Sequence, residues 1–342
     1  MSETDKPLAA WLFICAAAVF VMALVGAVTR LTESGLSIVQ WEPIAGILPP
    51  LSDESWENAF SLYKQSPQYT KVNHGMELAE FKGIYFWEWM HRFWGRMIGV
   101  IYFVPLFYFA MRRRLPQETM PAFIGILALG VLQGGMGWFM VKSGLVDEPA
   151  VSHYRLAAHL MLAALIFTGL FRMGLFFGLA PEPEALRAAL LRGRVRDCFV
   201  LVFLTMTWGA FTAGLDAGQL YNTFPKMDDY WIPPELLQHR PLWLAFIKEP
   251  ATVQWVHRIL AVLTLLSILA LVQKSFVMHP PRRLTVLFVF LGLMVFVQVG
   301  LGIATLLTQV NITLATLHQA GAFLVLALLT WLWHEIPRAP DR

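Results

Sequence analysis

The chain has 342 residues, of which 57% are hydrophobic and only 14% are charged, and its mean hydropathy is +0.57. Soluble globular domains carry about 25% charged residues, so this composition excludes an ordinary soluble protein and indicates a membrane protein. The formal net charge is only +3, and the sequence has no basic stripe or nucleic-acid motif. Nucleic acid is therefore not expected as a partner. Cys15 and Cys198 each lie in an apolar run and are expected to be buried free thiols.

Eight apolar stretches are long enough to cross the core of a bilayer, which requires about 20 residues of helix. They lie near residues 10–29, 86–110, 120–141, 156–178, 197–215, 251–273, 284–306 and 313–333. The first stretch is preceded by no Arg-rich transit segment and followed by no convincing cleavage site. We therefore expect a retained helix and a bacterial plasma (inner) membrane. The sequence predicts an all-α integral membrane protein with eight transmembrane helices.

Basic residues are concentrated in the short connections and indicate the orientation of the chain. They are Arg112, Arg113, Arg114, Arg187, Arg192, Arg194, Arg196, Lys274, Arg282 and Arg283. By the positive-inside rule, these connections and both termini are expected on the cytoplasmic side. The two long connections, near residues 30–85 and 216–250, are then outside. Their content of Trp, Tyr, Pro and acidic residues is typical of segments that rest on the outer membrane interface.

The two halves of the chain resemble each other at four places, in the same order. GAVT at 26–29 matches GAFT at 209–212, WMHR at 89–92 matches WVHR at 255–258, and QGGMG at 133–137 matches QVGLG at 298–302. The fourth and eighth predicted helices each place one histidine near their start. The repeat predicts two pseudo-symmetric four-helix bundles, residues 1–180 and 181–342. The Gly-x-Gly motifs are explained equally by close helix packing and by space for a flat ligand.

Four of the nine histidines lie inside predicted spans, where ionisable side chains are costly and usually face a bundle interior. These are His91, His159, His257 and His318. All are predicted in early turns of even-numbered helices, which run inward, so they should share one depth near the outer face. The others are expected to be solvated or interfacial: His74, His153, His239, His279 and His334.

Four histidines at one depth, paired by the repeat, indicate two binding sites. Zinc usually takes three or four protein ligands, whereas each bundle offers two histidines. Two imidazoles from facing helices suit the axial positions of a haem iron. We therefore expect one haem between His91 and His159 and another between His257 and His318.

The halves differ at one position that bears on chemistry. Glu88 lies three residues before His91, on the same helical face, and the aligned residue in the second half is Gln254. A carboxylate beside only one site makes the first site the candidate for catalysis, with Glu88, His91 and His159 as its residues. The alternative is that Glu88 only orients a neighbouring ligand or pairs with Arg92.

Three arginines lie close to the histidines along the chain: Arg92, Arg96 and Arg258. Guanidinium groups bind carboxylates well, so these residues are candidates for binding haem propionates at the outer interface. Ordinary snorkelling of long basic side chains to the interface is the alternative.

Three segments resemble signatures of the heme A synthase family. They are EFKGIYFWEWMHR at 80–92 with Gly95-Arg96, YRLAAHL at 154–160 and GAVTRLTESG at 26–35. The similarity runs through essentially the whole chain and is greatest to the subgroup shared by mitochondria and alphaproteobacteria. The chain lacks the first-loop cysteine pair of some bacterial relatives, so redox regulation through that pair is not expected.

The resemblance implies oxidation of the C8 methyl group of haem o to a formyl group, which gives haem a for terminal oxidases. It also implies a haem b cofactor at His257 and His318, haem o near His91 and His159, and importance of Glu88 for activity. Implied partners are a haem o-producing farnesyltransferase, cytochrome oxidase assembly factors and an electron acceptor of unknown identity. The sequence leaves open whether the protein is a homo-oligomer.

Two other functions use the same four histidines. A membrane b-type cytochrome would carry electrons to or from quinone, with both haems permanent. A haem transporter or chaperone would pass haem along without chemistry. The difference between Glu88 and Gln254 favours an enzyme, and the common depth of the histidines argues against a path across the membrane.

Overall fold

The computed structural model describes residues 5–40, 45–144, 151–182, 188–238 and 241–337. Within these ranges the regular secondary structure is helical. Arg187 and His239 lie outside the described residues.

Eight of the helices are long and apolar enough to cross a membrane. They are α1 (Lys6–Leu31), α2 (Leu78–Met111), α3 (Met120–Gly144), α4 (His153–Gly178), α5 (Arg192–Gly214), α6 (Pro250–Met278), α7 (Arg282–Leu307) and α8 (Ile312–Glu335). The prediction of an all-α, multi-pass membrane protein with eight spanning helices is confirmed.

Helix α2 begins well before its apolar part. Its first residue is Leu78, because Glu77 and Glu80 form a capping box that starts the helix among polar residues. His91 therefore lies in the middle of α2, and its predicted position in an early turn is wrong. The other three paired histidines do lie within the first turns of α4, α6 and α8.

The long connection between α1 and α2 is packed onto the start of α2. Its described residues include the short α-helices Asp53–Tyr63 and Pro67–Lys71. The buried rings of Phe60 and Tyr63 lie with centroids 5.0 and 5.1 Å from that of Phe81 in α2. Buried aromatic pairs of this kind hold a connection in one position.

The two halves of the protein repeat one pattern of helix neighbours. In the first half α1 packs against α2 and α4, and α3 packs against α4; in the second half α5 packs against α6 and α8, and α7 against α8. The halves meet where α4 contacts α5 and α1 contacts α8. This arrangement is consistent with the predicted pair of pseudo-symmetric bundles.

Polar contacts join the halves. The Gln319 side chain in α8 donates to the main-chain carbonyl of Ala23 in α1 at 2.6 Å. Two turns further along α1, Arg30 forms an ion pair with Asp216 at 2.7 Å.

A close approach between the halves depends on Gly214. A β-carbon built there would lie 2.6 Å from Cβ and 2.7 Å from Cα of His153. Because a backbone atom cannot rotate away, we expect Gly214→Ala to destabilise the protein by about 1–3 kcal/mol. The measurement is the unfolding temperature in detergent.

The control is Gly130→Ala in α3, where an added β-carbon meets nothing within 4 Å. It should be neutral or stabilising, because Ala is favoured over Gly inside a helix by about 0.5–1 kcal/mol. Equal unfolding temperatures for the two variants would contradict the close approach of α4 to α5.

Candidate functional site

The structure brings the four membrane histidines together as two pairs. The rings of His91 in α2 and His159 in α4 have centroids 6.5 Å apart. Those of His257 in α6 and His318 in α8 are 6.4 Å apart. Each pair joins the two even-numbered helices of one half.

The ring of every paired histidine packs against a glycine of the preceding helix, which we call its seat glycine. The pairs of ring and seat are His91 on Gly26, His159 on Gly137, His257 on Gly209, and His318 on Gly302. A β-carbon added to these glycines would lie between 2.8 and 3.4 Å from a ring atom. The repeated glycines therefore make room for histidine rings, a use that the sequence analysis did not consider.

In the second half, each ring is also held by a hydrogen bond. The Nδ1 atom of His257 lies 3.0 Å from the carbonyl oxygen of Thr205, and that of His318 lies 3.1 Å from that of Gln298. Both carbonyls belong to the residue four positions before the seat glycine. A helical side chain covers the turn that precedes it, so a glycine leaves this carbonyl uncovered. Because a carbonyl only accepts, Nδ1 carries the proton and the Nε2 lone pair is free to bind a ligand.

The first pair is held differently. The Nε2 atom of His159 lies 3.2 Å from the side-chain amide nitrogen of Gln133. Its Nδ1 atom is buried and has no hydrogen-bond partner among the described residues. His91 turns the Nε2 edge of its ring towards Gly26, with that atom 3.3 Å from an added β-carbon. The rings of this pair therefore lack the Nδ1–H bonds to main-chain carbonyls that fix the orientation of the second pair.

The spacing of both pairs fits two axial ligands of one haem iron. Bonds from imidazole nitrogen to a first-row metal such as zinc are about 2.0–2.1 Å long, and a ring centroid lies roughly 1 Å further on. Two collinear imidazoles on one metal thus have centroids about 6 Å apart. Among the described residues no group of three or more His, Cys, Asp or Glu could hold a metal ion. The donor set therefore fits haem better than a metal ion held by protein alone.

Glu88 is buried, and both of its carboxylate oxygens are hydrogen-bonded. One oxygen accepts from Arg92 at 2.6 Å in an ion pair within α2. The other accepts from the hydroxyl of Ser37 and the main-chain N–H of Ile38, each at 2.7 Å. The carboxylate therefore ties the α1–α2 connection to α2, one helical turn from His91.

Gln254 has the same arrangement with the polarity reversed. Its side-chain oxygen accepts from Arg258 at 3.1 Å, and its amide nitrogen donates to the carbonyls of Ala217 at 2.7 Å and Tyr221 at 3.2 Å. A carboxylate thus meets donors of one connection, whereas an amide meets acceptors of the other. The difference between Glu88 and Gln254 has a structural explanation in these contacts.

The three arginines predicted to bind propionates all donate to main-chain carbonyls of the long connections. The contacts are Arg92 to Ile38 (2.9 Å), Arg96 to Gly46 (3.0 Å) and Arg258 to Tyr221 (2.8 Å). These bonds fasten both connections beside the histidine pairs. Binding of propionates stays a prediction.

Two of the remaining histidines form hydrogen bonds with main-chain carbonyls at helix ends. His153 bonds the carbonyl of Ile247 at 2.8 Å and His334 that of Leu179 at 2.9 Å. Gln133 and Thr205 touch the paired rings but were not singled out from the sequence. For Gln133 the available signal was its place in the repeated motif.

Comparison with known proteins identifies the family. The profile of the COX15-CtaA family, described as cytochrome oxidase assembly protein, matches residues 9–330. The chain belongs to this family. A relative named heme A synthase from Rhodospirillum centenum is 47% identical over 99% of this chain and 91% of its own length.

Two further relatives with the same name support the family assignment. The protein from Nitrosospira multiformis is 46% identical over 98% of this chain and 94% of its own length. The protein from Paramagnetospirillum magneticum is 44% identical over 97% of this chain and 94% of its own length. The family resemblance found in the sequence motifs is confirmed.

The seat glycines can be tested where the contact is closest. A β-carbon on Gly302 would lie 2.8 Å from Cε1 of His318. We expect Gly302→Ala to displace the ring at a cost of about 1–3 kcal/mol, which is roughly a five- to hundred-fold loss in affinity for haem at that pair. Haem content per protein and the absorption spectrum measure it.

The control is Gly300→Ala, two residues earlier in α7, where an added β-carbon meets nothing within 4 Å. It should keep its haem. A Gly302→Ala protein that retains haem with an unchanged spectrum would refute the role of the seat.

Proposed function

We propose that this protein is a heme A synthase that oxidises the C8 methyl group of haem o to a formyl group, giving haem a for terminal oxidases. Relatives of that name cover nearly the whole chain at 43–47% identity. The observation that carries the proposal is the difference between the two histidine pairs. One pair suits a ligand that stays, and the other suits a ligand that enters and leaves.

The second pair is assigned to a resident haem b. Both of its rings donate Nδ1–H to main-chain carbonyls, at 3.0 and 3.1 Å. Such bonds fix the orientation of a ligating imidazole and make it a stronger ligand. When bound, haem b supplies an iron that changes its oxidation state and can take electrons from the substrate site. Residues 181–342 are thus the proposed cofactor bundle.

The first pair is assigned to the substrate, haem o, within residues 1–180. His159 bonds the side chain of Gln133 instead of a fixed main-chain carbonyl. Substrate must bind and product must leave at each turnover, which favours ligands that are not held rigidly. Arg92, Arg96 and Arg258 keep their proposed role beside the propionates of the two haems.

Glu88 is proposed to act on the reaction through its charge and its position. Loss of electrons from a methyl carbon builds positive character there, which a nearby carboxylate stabilises. Water is the proposed source of the formyl oxygen, and a carboxylate can accept a proton from it. The bonds of Glu88 to Ser37 and Ile38 also hold the α1–α2 connection beside His91.

A short bonded route joins the two pairs. Gln319 follows His318 in α8 and donates to the carbonyl of Ala23 in α1 at 2.6 Å. Ala23 lies one turn before Gly26, the seat of His91. Helix α1 therefore carries the seat of His91 and contacts the residue next to His318, which supports transfer of electrons between the two sites.

The proposed location is the bacterial inner membrane, with both termini in the cytoplasm. The seat glycines lie near the ends of odd-numbered helices, and most basic residues of the short connections lie at the opposite membrane face. This distribution supports a position of the histidine pairs near the outer face. A farnesyltransferase that makes haem o would supply the substrate, and oxidase assembly factors would receive haem a. The acceptor of the electrons and any homo-oligomer are left to experiment.

Haem extraction tests the assignment of the two pairs. The protein purified from cells that produce haem o should contain haem b together with haem o or haem a. His318→Ala should lose haem b, whereas His159→Ala should lose haem o and haem a but keep haem b. Chromatography of the extracted haems gives the result.

Haem b alone, where haem o is demonstrably present, would indicate a membrane b-type cytochrome instead. Loss of the same haem from both variants would contradict the division between the pairs.

A matched pair of variants separates the two roles of Glu88. Glu88→Gln removes the charge and places an amide where Ile38 N–H needs an acceptor, so we expect roughly a 100-fold fall in haem a formation. Ser37→Ala keeps the charge and the pair with Arg92 but removes one bond to the connection. It should stay within about threefold of the wild type.

Undiminished haem a formation by Glu88→Gln with normal haem loading would exclude both roles. Equal losses in the two variants would mean that Glu88 acts only by anchoring the connection.

A further inference from the structure

Gln133 and Gln298 occupy equivalent positions of the repeat, each four residues before a seat glycine. Their side chains point to different partners. The difference bears on how firmly each histidine pair can hold a ligand.

The side chain of Gln298 bonds the main chain of the histidine beside it. The side-chain amide nitrogen donates to the main-chain carbonyl of His318 at 2.9 Å. The main-chain carbonyl of Gln298 accepts from Nδ1 of the His318 ring at 3.1 Å. The Nε2 atom of His318 takes no part in these bonds. Gln298 therefore holds the histidine without occupying the nitrogen that would bind iron.

Gln133 instead bonds the ring itself. Its amide nitrogen lies 3.2 Å from Nε2 of His159. An amide N–H only donates, so the Nε2 lone pair is the acceptor. An iron bound to His159 through Nε2 needs the same lone pair. The amide of Gln133 and the iron of the substrate exclude each other at this atom.

The two halves also differ at one residue of the even-numbered helix, three positions after the histidine. In α8 this residue is Gly321, and a β-carbon there would collide with the side-chain oxygen of Gln298. In α4 the equivalent residue is Leu162. Since even a β-carbon at Gly321 would meet the Gln298 oxygen, we infer that the Leu162 side chain keeps Gln133 from lying as Gln298 does.

We propose that Gln133 is a positioning residue that competes with the substrate iron for Nε2 of His159 and so speeds release of haem from the first pair. As the iron–nitrogen bond breaks, the amide hydrogen bond forms, and the freed ring is stabilised. The ligand concerned is a haem macrocycle. The inference rests on the proposed assignment of the substrate to His91 and His159.

Gln133→Met tests the proposal, because methionine has a similar length and no N–H donor. The purified protein is loaded with haem o and mixed with excess apomyoglobin, which captures released haem. Loss of one hydrogen-bond competitor should slow release of haem o about 3- to 10-fold. The low-spin fraction of the bound haem o, read from its spectrum, should rise because His159 ligates more completely.

The matched control is Val131→Met, which places a methionine on the opposite, exposed face of the same helix; release of haem o should equal that of the wild type. Leu162→Gly is a second variant that keeps the amide but opens the space beside it. It should slow release as Gln133→Met does. Retention of haem b at the second pair verifies folding in every variant.

Release from Gln133→Met that is unchanged or faster than wild type, with haem b retained, overturns the proposal. Complete loss of haem o from this variant would show that Gln133 assists binding and would also overturn it. Haem a formation by the wild type is a separate readout. If the wild type forms none, the proposed function fails, whereas the ratio of release rates still decides the role of Gln133.

Discussion

The contact between a histidine ring and a glycine of the neighbouring helix determines how both sites are built. A glycine leaves room for the ring and uncovers the carbonyl one turn earlier in its helix. His257 and His318 use those carbonyls, and their rings lie 6.4 Å apart with Nε2 free. The same seats exist in the first half, where the rings are not anchored in this way. One backbone arrangement thus supports a fixed site and an adjustable one.

The polar side chains one turn before His91 and His257 form hydrogen bonds with the long connections. Glu88 accepts from an N–H and a hydroxyl, whereas Gln254 donates to two carbonyls. Each side chain has the polarity that the facing main chain requires, because a buried polar group without a partner costs about 1–3 kcal/mol. The choice of a carboxylate in one half and an amide in the other therefore matches the facing main chain, and the charge of Glu88 is paired with Arg92.

The spanning helices could be predicted because a bilayer requires about 20 apolar residues for each, and the repeat was visible in the motifs around the histidines. The start of α2 was missed because it is set by the capping box of Glu77 and Glu80, outside the apolar stretch. The bond from His257 to Thr205 could not be predicted, because it depends on the register of α5 against α6. The glycines gave a signal, but helix packing and ligand space explained it equally well.

The difference between the halves follows from small steric changes on a common frame. With Gly321 beside it, a glutamine lies against main chain and leaves the histidine nitrogen free. With Leu162 in that place, the equivalent glutamine bonds the nitrogen itself. A cofactor site gains from tight, preset ligands, but a substrate site that bound product as tightly would slow its own turnover, because product release would limit the rate. The proposed hydrogen bond to His159 stabilises the unbound ring and so lowers the affinity for haem, which suits the half in which haem must be exchanged.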